Sequence, residues 1–155
     1  DDTSLKTNSL RQGLRISGTV KVSFDAAIDR ETAILSAMLV DLGAARRITE
    51  EQIPHEDGTY SFGVEEVSSP YKVISRGWLN AQNRSCLWRK ERIVPGEMYH
   101  YEIGMVPTDY VLEPGHELAL ILYGIDAEAT RRPDTVTRIE VDTANLQASV
   151  PMGSC

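Results

Sequence analysis

The chain has 155 residues, 41% of them hydrophobic and 25% charged, with 11 Gly and 7 Pro, proportions that exclude a disordered tail or a fibrous repeat. Lys and Arg number 16 against 23 Asp and Glu, a formal charge of −7, and no basic run is present to release phosphate counterions, so neither nucleic acid nor an anionic membrane is expected as a partner. The longest apolar stretch, Leu118 to Tyr123, falls far short of the ~20 residues that cross a bilayer.

In chain order, the opening Asp1-Asp2-Thr3-Ser4 has neither Met nor an apolar signal core, which leads us to expect a piece of a longer protein. Leu14, Ile16, Val20, Val22 and Phe24 alternate with polar neighbours, predicting one half-buried antiparallel strand, with Gly18 on its apolar face marking a bulge or a close backbone approach. Residues 26–33 offer room for a short helical turn. The run Ile34 to Val40 is apolar on both faces and predicts a covered central strand. From Ala44 to Gly58 the chain is charged and carries Pro54, the composition of a long loop. A strand with one aromatic on each face follows from Tyr71 to Leu79, then a second place for a helical turn at 80–92. Tyr99 to Met105, Leu118 to Tyr123, Ile139 to Val141 and Leu146 to Val150 complete the strand series. Pro95-Gly96 and Pro114-Gly115 suit the central positions of type II turns. Seven or more short strands with few helices predict an all-β, jelly-roll or Greek-key β-sandwich of the galactose-binding-like kind, one domain over 1–155 with its core at about 14–151.

A search for chemistry returns little. The nearest approach to a nucleophile elbow, Gly58-Thr59-Tyr60-Ser61-Phe62-Gly63, has one residue too many before the serine, and a hairpin is the safer reading. His55, His100 and His116 stand alone in separate elements and read as surface or structural histidines; no zinc spacing, phosphate loop or dinucleotide loop is present. Asp126 with Glu128, and Glu65 with Glu66, are acidic pairs too small for calcium. Cys86 and Cys155 are isolated thiols, which points to a reducing, cytoplasmic setting. We therefore expect no catalytic, cofactor or metal residues. The segment Ser75 to Arg84, dense in Arg, Trp and amides, has the composition of a binding hot spot or of a capped structural loop. Arg76 and Trp78 share a strand face by the period-two rule. A covered Arg76 needs a partner, with Asp109 and Asp126 the internal candidates. Arg76, Trp78, Asn80 and Asn83 are the candidates for a domain interface.

Five blocks in order carry a resemblance: Leu35–Asp41, Ser75–Arg84, Pro95-Gly96-Glu97, Pro107–Tyr110 with Pro114-Gly115-His116, and Leu122–Asp126. Together they resemble the C-terminal domain of X-Pro dipeptidyl-peptidases, bacterial serine peptidases grouped with cocaine-esterase-like α/β-hydrolases. The resemblance implies a non-catalytic jelly roll packed on an upstream α/β-hydrolase domain that holds the Ser-Asp-His triad. It implies a parent that removes N-terminal Xaa-Pro dipeptides without metal or cofactor, cytoplasmic and homodimeric. The competing readings are the same domain of a related acylase or esterase, or a carbohydrate-binding sandwich module.

Overall fold

A computed structural model of the chain describes residues 3–124 and 137–154. Among them lie β1 (Thr3–Lys6), β2 (Leu14–Gly18), β3 (Lys21–Ile28), β4 (Ile34–Pro54), β5 (Tyr60–Asn80), β6 (Met98–Gly104), β7 (Thr108–Leu112), β8 (Glu117–Tyr123), β9 (Ile139–Ser149) and β10 (Met152–Ser154), with one 3₁₀ turn at Ala81–Asn83. The strands form three antiparallel sheets, ordered β1-β8-β4-β5, β10-β2-β7 and β6-β3-β9. Among the described strands only β4 and β5 are both consecutive in sequence and paired, so most connections pass from one sheet to another. The result is an all-β sandwich.

The alternation in the first half builds one wall of the core. Ile16, Val20, Val22, Phe24, Ala26 and Ile28 are all buried in a single apolar cluster. That run is two strands rather than one. Gly18, with φ of 126°, ends β2, and β3 continues in a different sheet. A Cβ at Gly18 would lie 3.3 Å from Pro151 Cγ, and the Ser17 amide donates to the Pro151 carbonyl at 3.1 Å, so the glycine sits where another segment closes in. The helical turn expected at 26–33 is absent because Ala26 and Ile28 keep facing the core as part of β3.

Facing this wall, β4 sends Leu35, Ala37 and Leu39 into the same cluster, with Leu118, Leu120 and Leu122 of β8 beside them. As the run from Ile34 to Val40 implied, β4 is central, flanked by β8 and β5. Opposite Ala37 lies Gly77. A Cβ there would stand 2.8 Å from both the Gly104 carbonyl and Ile103 Cγ2, so the glycine lets β5 press against the end of β6.

The segment 44–58 differs most from its sequence-based expectation. Instead of a loop, β4 runs on to Pro54 and pairs with β5 from Ala45↔Ser69 to Pro54↔Tyr60, while its pairing with β8 stops at Leu42↔Glu117. Ten paired residues beyond the sandwich make a two-stranded arm about 30 Å long. Among the described residues no third strand pairs with this ribbon, and its charge-rich sequence disguises it as a loop. The tip is closed by Gly58, at φ 79°, and by Asp57 Oδ1, which accepts from the Thr59 amide at 2.9 Å and its hydroxyl at 2.6 Å. These bonds hold the Asp57 carboxyl below its usual range.

Two further points concern connections. The runs Ile139–Val141 and Leu146–Ser149 belong to one strand, β9, which stops before Val150 and has a register shift between Ser23 and Asp25 of β3. Asp142 accepts from Ala144 N and Asn145 Nδ2 at 3.0 and 2.7 Å, which folds the extra residues into the shift. The two Pro-Gly turns form as expected: Gly96 and Gly115 have φ of 84° and 88°, and Glu97 N→Val94 O and His116 N→Glu113 O close them at 3.1 and 3.3 Å.

Candidate functional site

The densest polar chemistry lies where the arm leaves the sandwich. Asp41, 1% exposed, ends the apolar part of β4, and its carboxylate is fully engaged. Oδ1 meets His116 Nδ1 at 2.8 Å; Oδ2 accepts from the Tyr110 hydroxyl at 2.7 Å and from Arg47 Nη2 at 3.1 Å. The same guanidinium donates to the carbonyls of Gly43 at 2.8 Å and Ser69 at 2.5 Å, tying together both strands of the arm. The His116 ring lies flat against Gly43, where a Cβ would fall 2.3 Å from it. Burial, then the bond donated to Asp41, pushes the Tyr110 phenol up to about 12. Asp41 comes from the first of the five conspicuous sequence blocks, Tyr110 and His116 from the fourth. Their meeting was invisible in the sequence because 69 and 75 residues separate them from Asp41.

Nothing in this cluster forms an acyl-transfer site. His116 Nε2 faces the Glu113 carboxylate at 4.0 Å, and every other polar contact serves to satisfy a buried charge. His100, also paired with a carboxylate, sits in the open: its Nδ1 lies 2.7 Å from Asp25 Oδ1 across the β3–β6 ladder. Ser61 is a strand residue of the arm paired with Ile53, so the Gly58–Gly63 segment is a hairpin. Among the described residues, no three His, Cys, Asp or Glu side chains gather in a metal-binding group. Among the same residues no helix is long and apolar enough to cross a membrane.

The residues singled out from the sequence fall at the other end of β4 and β5. Trp78 pairs with Ser36 and Arg76 with Met38. Since Leu35, Ala37 and Leu39 face the core, Arg76 and Trp78 share the outer face of the four-stranded sheet, as the period-two rule required. Both are half-buried. Asn80 caps the 3₁₀ turn, its Oδ1 accepting from Gln82 N at 3.0 Å. Asn83 Nδ2 donates to the carbonyls of Cys86 and Leu87 at 3.3 and 3.1 Å. Asp109 is held by Arg15 through two bonds, 2.7 Å to Nε and 2.5 Å to Nη2, which lower its carboxyl below the usual range. Asp126 and Cys155 lie outside the described residues. Two concavities open at this end: a cleft of about 580 Å³ between Phe24, Leu35, Tyr123 and Arg138, and a shallower one of about 330 Å³ beside Pro95 and Gly96.

Comparisons with known proteins agree on what such a domain is. The Xaa-Pro dipeptidyl-peptidase of Lacticaseibacillus casei (strain BL23) is 32% identical over 154 residues, which cover 92% of this chain but 19% of that protein. The enzyme of the same name from Streptococcus gordonii is 31% identical over 92% of this chain and 20% of its own length. The chain thus spans about a fifth of the curated relatives it matches. In fold, it superposes on an α-amino acid ester hydrolase with a TM-score of 0.66 at 14% identity, over 99% of this chain and 26% of that one. A CocE/NonD family hydrolase from Staphylococcus aureus gives the same score at 13% identity, over 98% and 30%. A family model described as the X-Pro dipeptidyl-peptidase C-terminal non-catalytic domain matches residues 2–154. That match spans nearly the whole chain, and this chain, an antiparallel β-sandwich, belongs to that family.

Proposed function

We propose that this sandwich is the accessory domain of a longer serine peptidase that removes N-terminal Xaa-Pro dipeptides. In that reading it packs on an α/β-hydrolase catalytic domain of the same polypeptide and helps to bound the entrance to its active site. The observation that carries the reading is the family match over residues 2–154 combined with coverage of only 19% of an Xaa-Pro dipeptidyl-peptidase. The outer face bearing Arg76 and Trp78 supports a docking role over an independent one, since both side chains stay partly open there and are of the types enriched at binding hot spots. The sheet order, with β8 between β1 and β4 and β3 between β6 and β9, supports a jelly-roll winding. A cytoplasmic location and a homodimeric parent complete the proposal, the former resting on the isolated thiols.

A sugar-binding module would need neighbouring exposed rings. Among the described residues the most exposed rings are Trp88, Tyr60 and Tyr71. Tyr60 and Tyr71 are far apart on β5, and Trp88 follows the opposite end of that strand. The test is enzymatic. The longer polypeptide should release nitroaniline from Ala-Pro-nitroanilide and lose that activity to a serine-directed reagent, while this domain alone should not. Hydrolysis by the purified domain that vanishes with Ser61→Ala would refute the reading, as would a reading frame that closes immediately ahead of Asp1.

A further inference from the structure

Between the 3₁₀ turn and β6 the chain is tied down by its own side chains, yet its apex is bare. Asn83 holds the carbonyls of Cys86 and Leu87. Arg84 donates to the Arg92 carbonyl at 3.1 Å, pairs with Glu91 at 3.1 Å and stacks 4.3 Å from the centre of the Tyr99 ring. The Glu91 amide closes back on the Gln82 carbonyl at 2.7 Å. On this fixed frame Trp88 is 88% exposed and Leu87 72% exposed. An indole held out on a preorganised loop loses little freedom when it is buried, and Trp and Arg are the residue types that dominate binding hot spots. Around the apex stand Arg89, Lys90 and Arg92, the Arg89 and Arg92 side chains 74% and 79% exposed and facing Glu91 at 3.2 Å and Glu31 at 3.8 Å; three cations against two carboxylates leave a positive collar on a chain whose net charge is −7.

We infer that Leu87 and Trp88 are the anchor by which this domain seats on the catalytic portion of its own polypeptide, entering an apolar pocket ringed by carboxylates. The inference rests on the accessory-domain reading above. Two observations select this occupant. A chain that spans 19% of its relative leaves most of such a protein outside the fold, and the collar calls for a partner surface of opposite sign. A second copy of this chain would offer the acidic arm, which carries six carboxylates and no Lys or Arg between Ile48 and Glu66. A two-stranded ribbon with no second layer, however, cannot enclose an indole.

Hydrogen–deuterium exchange on the longer polypeptide tests this, with the arm tip at 55–60 as an internal reference. Trp88→Ser, and separately Leu87→Ser, should speed exchange of the 84–92 amides at least tenfold and leave the tip unchanged. The same substitutions in the chain described here should change neither segment, since both side chains are exposed. The inference is overturned if the longer polypeptide shows no such acceleration, or if the acceleration is equal in the shorter chain. Protection of 84–92 that depends on protein concentration would overturn it in favour of a second copy. Hydrolysis of Ala-Pro-nitroanilide by the unsubstituted polypeptide reports separately on the accessory-domain reading.

Discussion

The two ends of the β4–β5 pair solve opposite problems. At one end the strands outrun the sandwich as a ribbon whose only buried side chain, among those described, is Arg47. At the other they finish in a loop where Asn80, Asn83, Arg84 and Glu91 each bond to the chain nearby. A two-stranded ribbon is marginal by itself in water, so its orientation depends on its root. A loop stitched along its length carries its own rigidity. The order of the arm is thus decided by one buried cluster, whereas that of the loop is distributed over many small bonds. Damage should accordingly be large and concentrated at the root, and modest and local in the loop.

The largest expected effect is at Asp41. Asp41→Ala leaves the Arg47 guanidinium and the His116 ring buried without their acceptor, and should cost about 3 kcal/mol or more in denaturant unfolding. A loss below ~1 kcal/mol would show that the cluster does not hold the root. Gly43→Ala comes next. Its Cβ would meet the His116 ring at 2.3 Å, and overpacking of this kind costs roughly 1–3 kcal/mol. Most of that loss should disappear when His116→Ala is already present, so a double-mutant cycle that returns simple additivity would refute the contact.

Asn83→Ala tests the other end. Two donated bonds are lost, one part-buried and one exposed, for an expected ~1 kcal/mol of global stability. Its clearer signature is faster exchange confined to 84–92. Acceleration that spreads into β4 would mean that the loop is not independent of the sheet. Distinctive in pH is Tyr110→Phe. The phenol ionises at about 12 in the folded chain against 10.0 for a free tyrosine. A raised folded-state value means that its stabilising contribution is complete below pH 10 and is lost as pH climbs towards 12. Wild-type chain should therefore lose stability across that window more steeply than the Phe variant, as followed by urea midpoints. Parallel slopes would place the phenol outside the cluster.

The sequence by itself determined the class of fold, because period-two burial is a local property. The even positions from Ile16 to Ile28, the covered run from Ile34 to Val40 and the two Pro-Gly turns each announce their geometry within a few residues. It also exposed the placement of Arg76 and Trp78 on one face. The arm was hidden, since its sequence shows no hydrophobic alternation and its strands look like a charged loop. The break at Gly18 was hidden too, because both halves of the run point their even positions into one core while belonging to different sheets. Only the tertiary structure could bring Asp41, Tyr110 and His116 together around Arg47, since the bonds that neutralise a buried carboxylate are made between segments that the strand ladders, not sequence proximity, place side by side.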